Sequence, residues 1–159
     1  MNERRESIVL HHQEMVLWVE SLNSISKEEW FRPIEESKWS IAEVISHFVP
    51  WDEFIMNKRL PYLGSSDPLP PAPDPQILNE QSASKGRASE QSAVIQSFIE
   101  TRNRLATIIQ EIPEGAWQQL LQLGEKELTL TDYLEGLSDH DLHHKHEIER
   151  VLAKQNAQN

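Results

Sequence analysis

Five prolines crowd one stretch of this 159-residue chain: Pro68, Pro70, Pro71, Pro73 and Pro75, between Leu63 and Asn79. Proline lacks an N–H, and its ring clashes with the preceding helical turn, so this stretch is predicted to be non-helical. On both sides of it the apolar residues recur with a helical period, and no segment alternates convincingly as a strand. The first helical segment runs from about Asn2 to Leu22, with Ile8, Met15, Val19 and Leu22 on one stripe. The second opens at Ser40-Ile41-Ala42-Glu43, a capping box in which Ser40 and Glu43 satisfy each other's free amides, and its stripe is Ile41, Val44, Ile45, Phe48 and Ile55. The third covers about Ala88 to Ile112 through Ile95, Phe98, Ile99, Leu105 and Ile109. The fourth begins near Thr129, with Asp132 as capping partner, and continues to about Lys154.

Two connections look alike. Ser26-Lys27-Glu28-Glu29-Trp30 and Pro113-Glu114-Gly115-Ala116-Trp117 each read as a short helical turn ending in a tryptophan before a capped helix. The chain therefore reads as two helical hairpins in tandem. The Pro-rich stretch between them is long for a bundle turn. A stiff, extended connection suits a crossover along the bundle, leaving the second and third helices parallel. The expected fold is all-α, a four-helix bundle with up-down-down-up order, as a single domain over residues 1–159. A partner ligand and a plain loop are the other readings of such a stretch.

Composition bounds the function. A formal charge of -11, from 26 acidic against 15 basic residues, argues against nucleic acid and against anionic membrane surfaces. No cysteine is present, which excludes disulfides, thiolate nucleophiles and cysteine-ligated zinc; a metal site here must use histidine and carboxylate. No apolar run reaches the roughly 18 residues of a membrane span, and the N-terminal residues lack a signal peptide's apolar core, so the cytoplasm is the expected location.

The candidate chemistry lies in Ser138-Asp139-His140-Asp141-Leu142-His143-His144-Lys145-His146. His140 and His144 are four residues apart, which puts both imidazoles on one helical face where they can share a metal ion. On a helical wheel His144 falls about 30° from the centre of the apolar stripe and His140 about 70°, while His143 and His146 point outward. Asp141 also lies inside the stripe, where a carboxylate is costly unless paired. Polar detail on a bundle helix is the competing reading of the pair. On the second helix His47 sits beside the stripe rather than in it, which reads as a half-exposed histidine, although Pro50 blurs the rotation. Asp52 faces the stripe. On the first helix His11 and His12 straddle the stripe, near enough to line a cavity or simply to pack at the core edge. Trp51 is a further pocket candidate, as are Phe54, Met56 and Trp18, with core packing as their alternative.

Trp39-Ser40-Ile41-Ala42-Glu43-Val44-Ile45-Ser46-His47-Phe48, followed on the last helix by His140-Asp141-Leu142-His143-His144, resembles the DinB/YfiT-like metalloenzyme family of four-helix bundles. The family pattern is a Trp-Ser helix start leading to one histidine, then His-x-x-x-His on the fourth helix. The resemblance spans essentially the whole chain. It implies that His47 joins His140 and His144 as a third ligand to one divalent metal ion, with positions left open for water or substrate. It also implies low-molecular-weight thiols as cosubstrates, since characterised relatives include thiol S-transferases and a thiol-dependent isomerase, and it implies a homodimer. The sequence departs from the family after His144: many members continue Arg-Gly-Gln-Ile, whereas Lys145-His146-Glu147-Ile148 stands here and brings Glu147 within a turn of His144.

Three neutral imidazoles suit Zn, Ni, Fe or Mn and leave the ion its full charge, which is the layout of a catalytic site. Such an ion acidifies a bound water or a bound thiol. With no cysteine in the chain, a thiol would have to come from a small-molecule cosubstrate. Asp141, Glu43 and Asp52 are expected to orient the ligand imidazoles by accepting their other N–H. Three functions follow: transfer of a low-molecular-weight thiol to an electrophile, metal-assisted hydrolysis, or a non-catalytic helical module that dimerises and carries a vestigial site.

Overall fold

The computed structural model describes residues 3–157, so the predicted start at Asn2 and the domain's extreme ends lie outside the described residues. Its helices are α1 (Glu3–Ser21), α2 (Lys27–Phe31), α3 (Ile41–Lys58), α4 (Pro75–Arg87), α5 (Gln91–Gln110) and α6 (Leu130–Ala157), with a two-stranded sheet of β1 (Leu120–Leu123) and β2 (Lys126–Thr129). Local chemistry sets the starts. Ser26 with Glu29 and Ser40 with Glu43 form reciprocal capping boxes at α2 and α3. Thr129 Oγ1 accepts from the Asp132 amide ahead of α6. α3 runs unbroken through Pro50.

The long helices α1, α3, α5 and α6 bury two apolar clusters, one at each end of the bundle. One cluster joins Met15 and Val19 from the end of α1, Ile41 to Phe48 from the start of α3, Val94 to Phe98 from the start of α5, and Ile148 from late α6. The other joins Ile8, Ile55, Leu105, Ile109, Leu130 and Leu134. The starts of α3 and α5 share one end with the late parts of α1 and α6, so α3 and α5 run parallel and the order is up-down-down-up. Each short turn plugs one end: Trp30 is buried in the first cluster and Trp117 in the second.

Two local expectations need correction. The stretch from Leu63 to Asn79 is not non-helical throughout, because α4 begins at Pro75. Proline at the first helical position gives up only an amide that would be unpaired anyway, and Asp74 caps the helix by accepting from the Gln76 and Ile77 amides. α4 packs tightly on α3; a Cβ at Gly86 would lie 2.3 Å from Ser46 Oγ. The third segment accordingly starts at Gln91 rather than Ala88. The second correction is the hairpin. Leu121 pairs with Leu128 and Leu123 with Lys126 across a two-residue turn, whose first residue, Gly124, has φ of 64°. Glycine is the residue that accepts this conformation without strain, and a Gly-X pair favours a tight hairpin. Among the described residues, no helix is long and apolar enough to cross a membrane.

Candidate metal centre

α3 carries His47, and α6 carries His140 and His144 one turn apart. The three rings converge, with centroids 4.9 Å apart for His47 and His144, 5.7 Å for His47 and His140, and 4.7 Å for His140 and His144. One nitrogen from each lies within 4.8 Å of the other two. The half-exposed reading of His47 is wrong: the residue is 3% exposed, packed against Trp39 and Phe48. Ideal rotation put it beside the stripe, but α6 and the Trp39 ring cover that flank. His143 and His146 are exposed, as their angle on the wheel required.

The donor set suits a divalent cation. Burial lowers the pKa of all three histidines, that of His47 to about 4, so near neutral pH each offers a lone pair instead of a charge. His47 Nδ1 donates to the Val44 carbonyl, which fixes the tautomer and leaves Nε2 as the free acceptor. His144 Nδ1 is buried with no hydrogen-bond partner, and Glu147 Oε1 stands 3.6 Å from it. A metal ion would be held by His47, His140 and His144, and would supply Lewis acidity to a bound water or thiol.

Beside the trio opens a cavity of about 540 Å3, with His47 and His140 in its wall. His12 and Trp51 line it, as does Phe54; Trp51 is held by an Nε1 donation to Asn79 Oδ1 at 2.7 Å. Met56 and Trp18 pack against the core clusters. His12 is 1% exposed, and neither of its ring nitrogens has a protein partner. Burial pushes its pKa down to about 3. His11 stands behind, donating from Nε2 to Asp141 Oδ2 at 2.8 Å.

None of the three expected carboxylates bonds a histidine of the trio. Glu43 Oε1 accepts from Ser40 and Oε2 from Arg87, which commits it to the helix start. Asp52 and Asp141 instead grip Arg102 of α5, a residue the sequence reading passed over. Arg102 is 2% exposed; Nε and Nη2 donate to Asp52 at 2.7 and 3.0 Å, Nη1 and Nη2 to Asp141 at 2.7 and 3.2 Å. Its guanidinium also lies over the Phe98 ring. Burial raises the Asp52 carboxyl to about 6 against the pull of Arg102. At Asp141 burial acts the same way, but Arg102 and His11 overcome it and hold the group well below the carboxylate range. Arg102 thus ties α3 to α6 next to the residues that carry the trio. Its signal was present: Ile95, Phe98, Arg102, Leu105 and Ile109 follow the stripe spacing, with one cation among apolar residues. His11, His12 and Asp141 also lie close enough to hold an ion. Arg102 occupies that carboxylate and places a positive charge there, so this second group is unsuited to a cation.

Residues 10–148 match the sequence model of the DinB superfamily, and the chain belongs to that superfamily. Among solved structures, YfiT from Bacillus subtilis, described as a probable metal-dependent hydrolase with an unusual four-helix bundle topology, is similar to this chain. The TM-score is 0.80 at 13% identity, covering 98% of this chain and 90% of YfiT. The mycothiol-dependent maleylpyruvate isomerase is also similar, with a TM-score of 0.70 and 14% identity over 93% of this chain. This chain spans only 63% of the isomerase's length. At such identities the likeness establishes the shared fold. No curated protein sequence matches this chain.

Proposed function

We propose that His47, His140 and His144 bind one divalent metal ion, Zn, Ni, Fe or Mn, and that the protein is an enzyme transferring a low-molecular-weight thiol to an electrophile. The observation that carries this reading is the convergence of three neutral imidazoles from two helices, two of them in the wall of a cavity large enough for a small organic molecule. Three protein ligands leave an exchangeable position, and with no cysteine in the chain the nucleophilic sulfur must enter as a cosubstrate. The description of the isomerase relative as mycothiol-dependent supports a thiol. A second reading, metal-assisted hydrolysis, is favoured by the description of YfiT. A reduced thiol cosubstrate fits a cytoplasmic enzyme, since that compartment keeps thiols reduced. A homodimer, common among soluble proteins, completes the proposal.

The test is metal analysis of protein purified without a histidine tag, followed by mass spectrometry of reactions with an electrophile panel. Near-stoichiometric metal, lost in His144→Ala, with a thiol adduct formed only when thiol is added, supports transfer. Product formed without thiol selects hydrolysis. A wild type that takes up no metal and gains no stability from it leaves the non-catalytic module.

A further inference from the structure

Two arginines line the cavity, and they differ in one respect. Arg102 spends its charge on two carboxylates. Arg59, at the end of α3, is 7% exposed and has no carboxylate partner among the described residues. Its Nη1 donates to the Lys58 and Pro70 carbonyls at 2.9 and 2.7 Å, its guanidinium lies 4.5 Å from the centre of the Phe54 ring, and Tyr133 shares the cavity wall with it. Every one of these partners is neutral. A buried cation in such company is costly unless a counter-charge arrives.

We infer that the cavity is built for a ligand bearing a carboxylate, which Arg59 and Tyr133 anchor at the end away from the histidine trio. This deepens the proposed function, because it rests on the cavity being the substrate site. The two main-chain bonds from Nη1 hold the guanidinium in place, and the planar fork of arginine matches a carboxylate with two parallel N–H donations. Phe54, over which the guanidinium lies, is separated from His47 by about 10 Å of helix axis. The wall between is largely apolar, with Phe54, Ile55, Leu123 and Leu137. His12, buried and without a protein partner, offers one donor and one acceptor to a second polar group. The ligand is therefore an elongated organic acid: a carboxylate at Arg59, an apolar middle, and the reactive end near His47 and His140.

The experiment compares 4-phenylbutanoate with its neutral isostere 4-phenylbutanamide. Binding to the full chain is measured by calorimetry, with the Trp51 indole N–H resonance reporting occupancy of this cavity. Both the chelator-treated and the zinc-loaded protein are titrated. The acid should bind at least tenfold tighter than the amide in both states and shift the Trp51 signal, and Arg59→Gln should reduce that preference below twofold. Should Arg59→Gln fail to fold, Arg59→Lys, which keeps the charge but not the fork, must reduce the acid-over-amide preference at least threefold. Equal binding of acid and amide, no shift at Trp51, or a preference surviving the Arg59 variant overturns the inference. A preference seen only with zinc also overturns it, because the carboxylate then binds the metal and the metal reading stands. A preference in a protein that binds no zinc sustains the subsite and defeats the metal reading instead.

Discussion

Replacing Arg102 by methionine keeps a long unbranched side chain but leaves Asp52 and Asp141 buried, with His11 as the remaining hydrogen-bond partner of Asp141 and none for Asp52 among the described residues. Breaking a buried ion pair by removing one partner typically costs about 3–5 kcal/mol. Asp141 keeps its hydrogen bond to His11 and Asp52 already sits near 6, so the expected loss lies at the lower end of that range, about 3 kcal/mol at pH 7. That is a large part of the roughly 5–15 kcal/mol that holds a domain together. The sign with pH follows from the Asp52 carboxyl. In the variant its folded pKa rises further above the unfolded value, so its contribution to stability is present at low pH and lost as pH rises. Wild-type Asp52 already sits at about 6. The deficit of the variant relative to wild type should therefore grow by about 2 kcal/mol between pH 6 and pH 8. Urea denaturation followed by circular dichroism, on both metal-free proteins at pH 6, 7 and 8, measures it. Zinc affinity should also fall about 10- to 100-fold, because Arg102 fixes the helices that carry the ligands. A deficit under about 1 kcal/mol, or one independent of pH, would refute the view that Arg102 neutralises two buried carboxylates.

Acid should destabilise the metal-free wild type. The folded pKa values of His12 and His47, about 3 and about 4, lie below the unfolded value, so the unfolded chain takes up protons first and stability falls as pH drops below about 6.5. Each histidine contributes about 2 kcal/mol of loss by pH 5 and Asp52 offsets part of it, for a net of about 2–3 kcal/mol; urea midpoints that hold steady from pH 7 to 5 would contradict this. Zinc at a hundred times its dissociation constant should stabilise the protein by about 2.7 kcal/mol, seen as a higher melting temperature that His140→Ala abolishes. Gly86→Ala should cost about 1–3 kcal/mol, since its Cβ would meet both Ser46 and the Ala42 carbonyl; chemical denaturation showing no loss would mean that α4 slides freely on α3.

The parts of the fold that sequence conveys are those written in local repetition. Stripes such as Ile41, Val44, Ile45 and Phe48 located the helices, and Ser40 with Glu43 marked a start. Residues with one meaning in general and another in context were harder. Pro75 reads as a breaker until Asp74 is seen to cap the helix that it begins. The four-residue strands around Gly124 are too short for a period of two to stand out. At the site, the wheel separated His140 and His144 from His143 and His146, because all four share one helix. It misplaced His47, whose burial comes from other elements folding over it. Asp52 and Asp141 were visible as polar residues on apolar faces, whereas the identity of their partner depended on which helix lies between them. Pairing across a bundle is a tertiary fact, and Arg102 became legible only when three helices were brought together.

The parallel run of α3 and α5 obliges the chain to travel the length of the bundle between them, and it does so beside the cavity, where Ala72, Pro75 and Asn79 form part of the wall. Bundle seams are close-packed and tolerate few changes, while surface connections accept substitution and insertion readily. On the proposed function, reactivity and selectivity would be inherited on different stretches of chain: the histidines lie in the seams, and one side of the cavity wall in the crossover. Descendants of such a protein can exchange one small molecule for another by rewriting the crossover while the histidines stay fixed. Divergence among relatives in what they accept should therefore be recorded in the length and composition of that connection more than in the histidine motif.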